Sequence, residues 1–357
     1  LRERKDLNVI FVLVDTLRAD HLSSYGYKRK TSPFMDSLAE RGVRFRNVEA
    51  QSTWTKTSMA SLWTSFWPSQ TGVLRWDQSL PDGALMPAEV FQKAGFRTAG
   101  IYRNGWVAPK FGFGQGFETY LKPTAAATPA KFQKNNPSAH PLQGSDADAT
   151  LGAFEFLRAH GKERFFLYLH LMDVHQYAYD ANTPIFGTAY VDSYDSAIAW
   201  VDQNLGVLSM GLEKEGLLEK TLLVIASDHG EAFDEHGIEG HAQDLHAEVT
   251  QTPLILSFPF ALEEPIVVDE LVRNVDIMPT VLDLAGLPPL PGTPGRSLVP
   301  AIEAAARGEK SPEATLPAYA ELDRTWGQTE QPPKLIVSVR TDEWKLIHWM
   351  DGSKPEL

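Results

Sequence analysis

The chain has 357 residues, 43% hydrophobic and 22% charged, and its 33 basic against 46 acidic side chains give a formal net charge of −13. This is the composition of a globular protein with a large core, which excludes disordered and fibrous classes. The acidic balance speaks against sequence-independent binding of nucleic acid, because counterion release needs a basic face. With no cysteine there is no disulfide, no thiolate nucleophile and no Cys-based zinc site, so any metal is held by Asp, Glu, His or hydroxyl groups.

Residues 1–6, Leu-Arg-Glu-Arg-Lys-Asp, carry both signs of charge and lack the apolar segment of a signal peptide. The first apolar run, Val9 to Val14, is far shorter than the roughly 20 residues a bilayer span requires. A removed leader or anchor leaves the compartment open between bacterial periplasm, cell envelope and cytoplasm.

Val9 to Asp15 (VIFVLVD) predicts a strand buried on both faces, ending in a carboxylate at the sheet's carboxyl edge. Ser32-Pro33 opens a predicted helix over Phe34 to Arg41, which Gly42 closes. Further predicted strands are Val43 to Val48, Thr98 to Tyr102, Phe165 to Leu171, Leu222 to Ser227 and Pro253 to Phe258. Between them, Ile198, Val201, Leu205, Leu208 and Leu212 mark one face of a helix over Asp195 to Glu215. Lys122 to Ser145, rich in Pro, Ala, Asn and Ser, reads as a surface loop or lid. A helix over Asp276 to Leu284 precedes a Pro/Gly cluster, Leu287 to Arg296, after which Lys334 to Val339 and Trp344 to Trp349 predict a hairpin. The alternation of strand and helix predicts an α/β fold, with a domain over 1–290 and a smaller C-terminal unit over 291–357.

Two strands end in ligand-type residues, Asp15 and Asp228-His229-Gly230. If the strands are neighbours, the carboxylates converge and repel unless a cation lies between them. A strand-ending Asp alone is as well explained as a helix cap. The hydroxyl-rich turn Ser52-Thr53-Trp54-Thr55-Lys56-Thr57-Ser58 runs into a helix, and such an end either caps itself or binds an anion beside a nucleophilic hydroxyl. Six of the ten histidines, His170, His175, His229, His236, His241 and His246, follow strand ends and suggest a pocket, together with Asp173.

These motifs, in order, resemble the sulfatase branch of the alkaline phosphatase superfamily: VIFVLVDTLRADHLSSYGY, TSPFMDSLAERGVRFRNVEA, STWTKTSMASLWTSFWPSQTGV, FGFGQGFETY, FFLYLHLMDVH, LLVIASDHGEAFDEHG, GHAQDLHAEVTQTPLIL, VDIMPTVLDLAGLP and GRSL. The resemblance implies a central mixed, largely parallel β-sheet flanked by helices, and a small C-terminal antiparallel subdomain. Family members usually continue beyond the position of Leu357, so that subdomain is expected to be incomplete. It also implies a divalent metal (Mn, Zn, Ca or Mg; one ion, or two) on Asp15, Asp228 and His229, with Thr55 as nucleophile and further ligand. Thr16, beside Asp15, is a weaker ligand candidate. His175, in Met-Asp-Val-His, and His241, in Gly-His, take the positions of histidines that contact the anion or protonate the leaving group, and Asn104 that of a residue binding an oxygen of the anion; Lys56, beside Thr55, is either a partial substitute for the family's arginine in binding substrate or a solvated lysine on the helix. Asp173, His175 and His241 are candidates for a second ion.

The chain departs from classical sulfatases at the nucleophile. Their formylglycine arises from Cys or Ser in a Cys/Ser-x-Pro-x-Arg motif, whereas here the stretch reads Thr55-Lys56-Thr57-Ser58-Met59. Threonine has no route to that aldehyde, and the phosphodiesterases, phosphonate hydrolases and phosphoethanolamine or phosphoglycerol transferases of the superfamily use threonine at this position. The resemblance therefore points to a hydrolase of phosphodiester or phosphonate esters, acting on a small anionic ester. The alternatives are a transferase, a sulfuric ester hydrolase and a decayed binding protein. Neither the substrate nor the oligomeric state is legible.

Overall fold

A computed structural model of the chain describes residues 1–123, 144–328 and 331–357. The expected lid over 122–145 falls largely on residues outside these.

An eight-stranded sheet forms the centre, in the order β10-β2-β9-β6-β1-β5-β3-β4. Its strands are β1 (Asn8–Val14), β2 (Val43–Glu49), β3 (Arg97–Tyr102), β4 (Thr119–Leu121), β5 (Phe165–Leu171), β6 (Thr221–Ala226), β9 (Leu254–Ser257) and β10 (Ile266–Arg273). Two short strands, β7 (Ala232–Phe233) and β8 (Glu239–Gly240), form a ribbon of their own. The pairs β1–β5, β1–β6, β3–β5, β3–β4 and β2–β10 are parallel, and only β9 runs against its neighbours β2 and β6. The sheet is therefore mixed and largely parallel, as expected from the continuous apolar runs of β1, β5 and β6, in which every residue is buried.

Because side chains alternate across a strand, β1 feeds two cores at once. Val9, Phe11 and Leu13 point to one face, where they meet α2 (Thr55–Thr64) through Met59, Leu62 and Trp63 and α6 (Ile277–Leu284) through Val281. Ile10, Val12 and Val14 point to the other, against α1 (Pro33–Ala39), α4 (Asp146–His160) and α5 (Tyr190–Lys214). Helix α3 (Pro87–Lys93) adds Val90 and Phe91 to the first core, and Phe91 stacks on Phe166 at 4.3 Å. Among the described residues, no helix is long and apolar enough to cross a membrane.

The C-terminal hairpin is present as β12 (Leu335–Arg340) and β13 (Lys345–Trp349), and a third antiparallel strand, β11 (Ala318–Asp323), completes the sheet. Before it, α7 (Val299–Ala306) puts Val299 and Ile302 into the first core. Strands β4, β10 and β11 are additions to the predicted elements. The first is three residues long, and the other two interrupt their apolar residues with acidic ones, so periodicity gives little signal.

One ion cluster ties the small sheet to the large one. Glu49, at the end of β2, is buried and accepts from Arg340 Nη1 at 2.8 Å and from Lys345 Nζ at 2.6 Å. Burial alone would raise the Glu49 carboxyl, but the two cations outweigh it and hold it below its ordinary value of 4.5. At Lys345 the balance reverses and burial prevails, lowering the ammonium. The cluster is thus an attraction set against a desolvation cost, and removing one member leaves the others uncompensated. Glu49→Ala is expected to cost about 3–5 kcal/mol in urea unfolding at neutral pH. A depressed carboxyl contributes stability that is present above its unfolded pKa and lost as pH falls through the folded one. The gap between wild type and Glu49→Gln should accordingly close below the ordinary carboxylate range, and a pH-independent gap would contradict this role.

Candidate active site

Register brings the ligand-type residues together. Leu13 of β1 lies opposite both His170 of β5 and Ala226 of β6, so the residues that follow these strands share one carboxyl edge. Asp15, Asp228 and His229 are fully buried there, each offering a ligand atom within 4.8 Å of the others. The turn after β1 is tight: Thr16 has φ 61°, its amide donates to Asp228 Oδ1 at 3.3 Å and its hydroxyl donates to the Asp15 carbonyl at 2.7 Å. That hydroxyl is thereby engaged by its own backbone.

Thr55 is the first residue of α2, and it is buried. Trp54, not Thr55, occupies the capping position, and no side chain caps the helix there. The Thr55 hydroxyl lies 3.2 Å from His229 Nε2 and 3.3 Å from Asn104 Nδ2. His229 Nδ1 donates to the Gly230 carbonyl at 3.0 Å, which fixes the tautomer and turns the Nε2 lone pair to Thr55 and the carboxylates. Asn104 is oriented in the same way. Its Oδ1 accepts from the Trp106 amide at 2.9 Å, so Nδ2 is left to donate to Asp15 Oδ2 at 2.6 Å and to approach Thr55.

Asp15 Oδ1 and Asp228 Oδ2 are buried and have no hydrogen-bond partner among the described residues. Burial and the Asp15 charge push Asp228 well above the usual carboxylate range. Asp15 moves the other way: although burial would raise it, His175, His170 and His229 hold it below that range. Burial, joined by His241, pushes His229 down to about 3, which keeps its imidazole neutral. Two orphaned carboxylate oxygens and a neutral imidazole nitrogen facing one point are a donor set that fits a divalent cation. Oxygen-rich ligation with one imidazole suits Mn, Mg or Ca.

His175 and His241 complete the wall. Their ring centroids are 4.9 Å apart, and His241 is 4.7 Å from His229. Burial would lower His241, but Glu231, 3.2 Å from Nδ1, prevails and raises it, whereas burial lowers His175. The two imidazoles are thus shifted in opposite directions, His241 toward the charged form and His175 toward the neutral one. Both open onto a cleft of about 580 Å³.

Four candidate residues stand apart from this group. Lys56 points its ammonium to the carbonyls of Trp76, at 2.7 Å, and Arg75, at 3.3 Å, over the face of Phe111. Burial lowers it to about 8. Asp173 binds Arg103 and accepts from the Asp146 amide and from Trp200 Nε1 at 2.9 Å, so its carboxylate is spent on an internal network and does not join His175 and His241 around a second ion. The histidines also divide into two sets. His236 and His246 stack on each other at 3.8 Å beside Glu248, away from the four at the sheet edge.

Of two further residues of the site, the sequence marked His170 only as one of six histidines near strand ends and did not single out Glu231. His170 Nε2 contacts Asp15 Oδ2 at 3.0 Å and its Nδ1 accepts from the Tyr168 hydroxyl at 2.7 Å, and Glu231 orients His241.

Comparisons with known proteins accord with this geometry. A family model described as Sulfatase matches residues 7–287, and one described as N-sulphoglucosamine sulphohydrolase, C-terminal, matches 235–356. Arylsulfatase K of Bos taurus is 29% identical over 164 residues, 45% of this chain and 29% of that protein. The matched stretch spans less than a third of the length of the first curated relatives. Among solved structures, a 2-O GAG sulfatase superposes with a TM-score of 0.80 at 19% identity, covering 98% of this chain and 84% of the other. The phosphonate monoester hydrolase of Agrobacterium radiobacter gives 0.76 at 19% identity, covering 98% and 88%. At these identities the superpositions establish the fold.

If Asp15, Asp228 and His229 hold a cation, adding Mn to chelator-treated protein is expected to raise its stability by about 2.7 kcal/mol at a hundredfold excess over Kd. Asp228→Asn should leave the metal-free protein at least as stable and abolish the gain, as read by thermal unfolding with and without metal. An undiminished gain in that variant would remove Asp228 from the donor set.

Proposed function

The chain belongs to the sulfatase family, and from that premise we propose that it is a metal-dependent hydrolase of phosphodiester or phosphonate esters with Thr55 as nucleophile. The observation that carries this reading is the setting of the Thr55 hydroxyl, between His229 Nε2 and Asn104 Nδ2 at the head of α2. A hydroxyl there attacks an anionic centre that the helix N-terminus itself attracts.

Asp15, Asp228 and His229 would hold a divalent cation, which would supply positive charge beside the anionic centre and ease ionisation of the Thr55 hydroxyl. The chain's own groups do the rest. Asn104 donates to an oxygen at the attacked centre from the amide that Trp106 orients. His241, raised by Glu231, gives its proton to the departing oxygen. His175, whose ring centroid is 4.9 Å from that of His241, lines the cleft beside that oxygen. The bond from Thr55 to phosphorus forms as the bond to the leaving alcohol breaks, and water then releases threonine.

A second reading, hydrolysis of sulfate esters, is favoured by the names of the relatives, an arylsulfatase and a 2-O GAG sulfatase. Against it stands Thr55, whose secondary alcohol cannot become the aldehyde that the classical sulfatase mechanism requires.

The test is turnover of matched 4-nitrophenyl esters, a phosphodiester, a phosphonate monoester, a phosphate monoester and a sulfate, on metal-loaded protein. Phosphodiester or phosphonate turnover is expected. Thr55→Ala should reduce it by about a thousandfold or more and Thr55→Ser should retain part of it. Preferred turnover of the sulfate would overturn the phosphoryl reading. No turnover of any ester, with metal binding intact, would favour a transferase or a binding protein.

A further inference from the structure

Six non-glycine residues among the described ones hold a left-handed backbone: Thr16, Ser65, Tyr177, Asp234, Ala242 and Trp326. Three of them, Tyr177, Ala242 and Trp326, line the one cleft onto which His175 and His241 open. Such a conformation costs on the order of 1 kcal/mol or more per residue, and it persists where surrounding contacts enforce it.

Those contacts are on the turn after β11. Asp323 Oδ1 accepts from the Thr325 amide at 2.9 Å, the Thr325 hydroxyl at 2.7 Å and the Lys334 amide at 3.1 Å. The Trp326 carbonyl accepts from the Trp76 amide at 2.8 Å, and Trp76 Nε1 donates to the Gly327 carbonyl at 2.8 Å. The Trp326 ring is itself held, its Nε1 donating to the carbonyl of the strained Ala242 at 3.1 Å, yet it stays 40% exposed. An aromatic ring fixed at its polar atom and left open over a cleft is a stacking platform. Two residues earlier in the cleft wall stands Arg324, exposed, whose guanidinium forms no hydrogen bond or close ion pair with the described residues and whose charged neighbour is the exposed Asp351, which it helps to lower. In a chain of net charge −13, a cation held only by an exposed carboxylate and lining the cleft of His175 and His241 selects for an anion.

We propose that the Arg324–Trp326 turn is the leaving-group subsite and that it accepts a ring-shaped alcohol bearing a second negative charge. The ring lies on Trp326, and the second anion pairs with Arg324. This inference rests on the reading of the cleft as an ester hydrolase site. It makes the small C-terminal sheet the part of the chain that chooses the substrate, while the large sheet carries the chemistry.

The experiment compares two phosphonate monoesters, one releasing phenol and one releasing 3-hydroxybenzoate, with the corresponding sulfate esters in parallel. Wild type is expected to favour the carboxylated ester in kcat/KM by about three- to tenfold, the range of a partly exposed charged hydrogen bond. Arg324→Ala should bring that ratio to near one, Arg324→Lys should keep part of it, and the exposed-surface control Arg307→Ala should leave it in place. Trp326→Ala should raise KM for both esters. A ratio that survives Arg324→Ala overturns the proposal.

A fluorescence titration with phenol and 3-hydroxybenzoate separates this proposal from the hydrolase reading. Tighter binding of 3-hydroxybenzoate that is lost in Arg324→Ala, with no ester turned over, upholds the subsite and rejects the hydrolase. Equal binding of the two by wild type, with ester turnover intact, rejects the subsite and spares the hydrolase.

Discussion

Everything at the sheet edge follows from one electrostatic constraint, two carboxylates buried side by side. Asp15 and Asp228 sit at the ends of adjacent parallel strands, and each keeps one oxygen without a partner. In water such a pair is harmless, but with no solvent to screen it the second ionisation is strongly opposed. The upward push on Asp228 expresses that opposition, and a divalent cation is the chemical group that removes it. The parallel arrangement of β6, β1 and β5 makes the convergence unavoidable, because it delivers all three strand ends to the same edge.

The remaining groups are organised around Asp15 and Thr55 by fixing which atom each presents. Gly230 sets the tautomer of His229, Trp106 sets the amide of Asn104, Tyr168 occupies one nitrogen of His170 and leaves the other for Asp15, and Glu231 holds Nδ1 of His241 and raises it against burial. None of these partners need touch a substrate. Each removes a choice of orientation that would otherwise be settled during binding, at a cost in entropy.

The sequence made the centre of this arrangement legible and its surroundings much less so. Continuous apolar runs announce β1, β5 and β6, and a strand-ending Asp or Asp-His announces itself by position. Edge strands such as β10, with Asp269 and Glu270 in its middle, do not. His170 was visible only as one histidine among several, since its contact with Asp15 depends on β1 and β5 pairing Leu13 with His170. Lys56 illustrates the opposite error of proximity. Successive residues on a helix point about 100° apart, so the neighbour of a nucleophile faces elsewhere, here to the carbonyls of Arg75 and Trp76. Asp173 was grouped with His175 by being two residues away, yet the buried Arg103 claims it.

The threonine at the head of α2 is better read as a change of chemistry than as decay. A site released from function gains stability by losing either buried carboxylate, since a single Asp to Asn change relieves the repulsion without altering shape. This chain holds both, with their orphaned oxygens and the oriented His229 and Asn104 around Thr55. The departure from a classical sulfatase at this point is that Thr55-Lys56-Thr57-Ser58-Met59 stands where the Cys/Ser-x-Pro-x-Arg motif would be. On the proposed reading, a neutral hydroxyl in place of an aldehyde hydrate would still form one covalent bond to an anionic ester. It then needs an outside nucleophile to release it, because it has no second hydroxyl with which to expel the product. That requirement favours centres that water can attack after the first transfer, and phosphorus in a phosphodiester or phosphonate is such a centre.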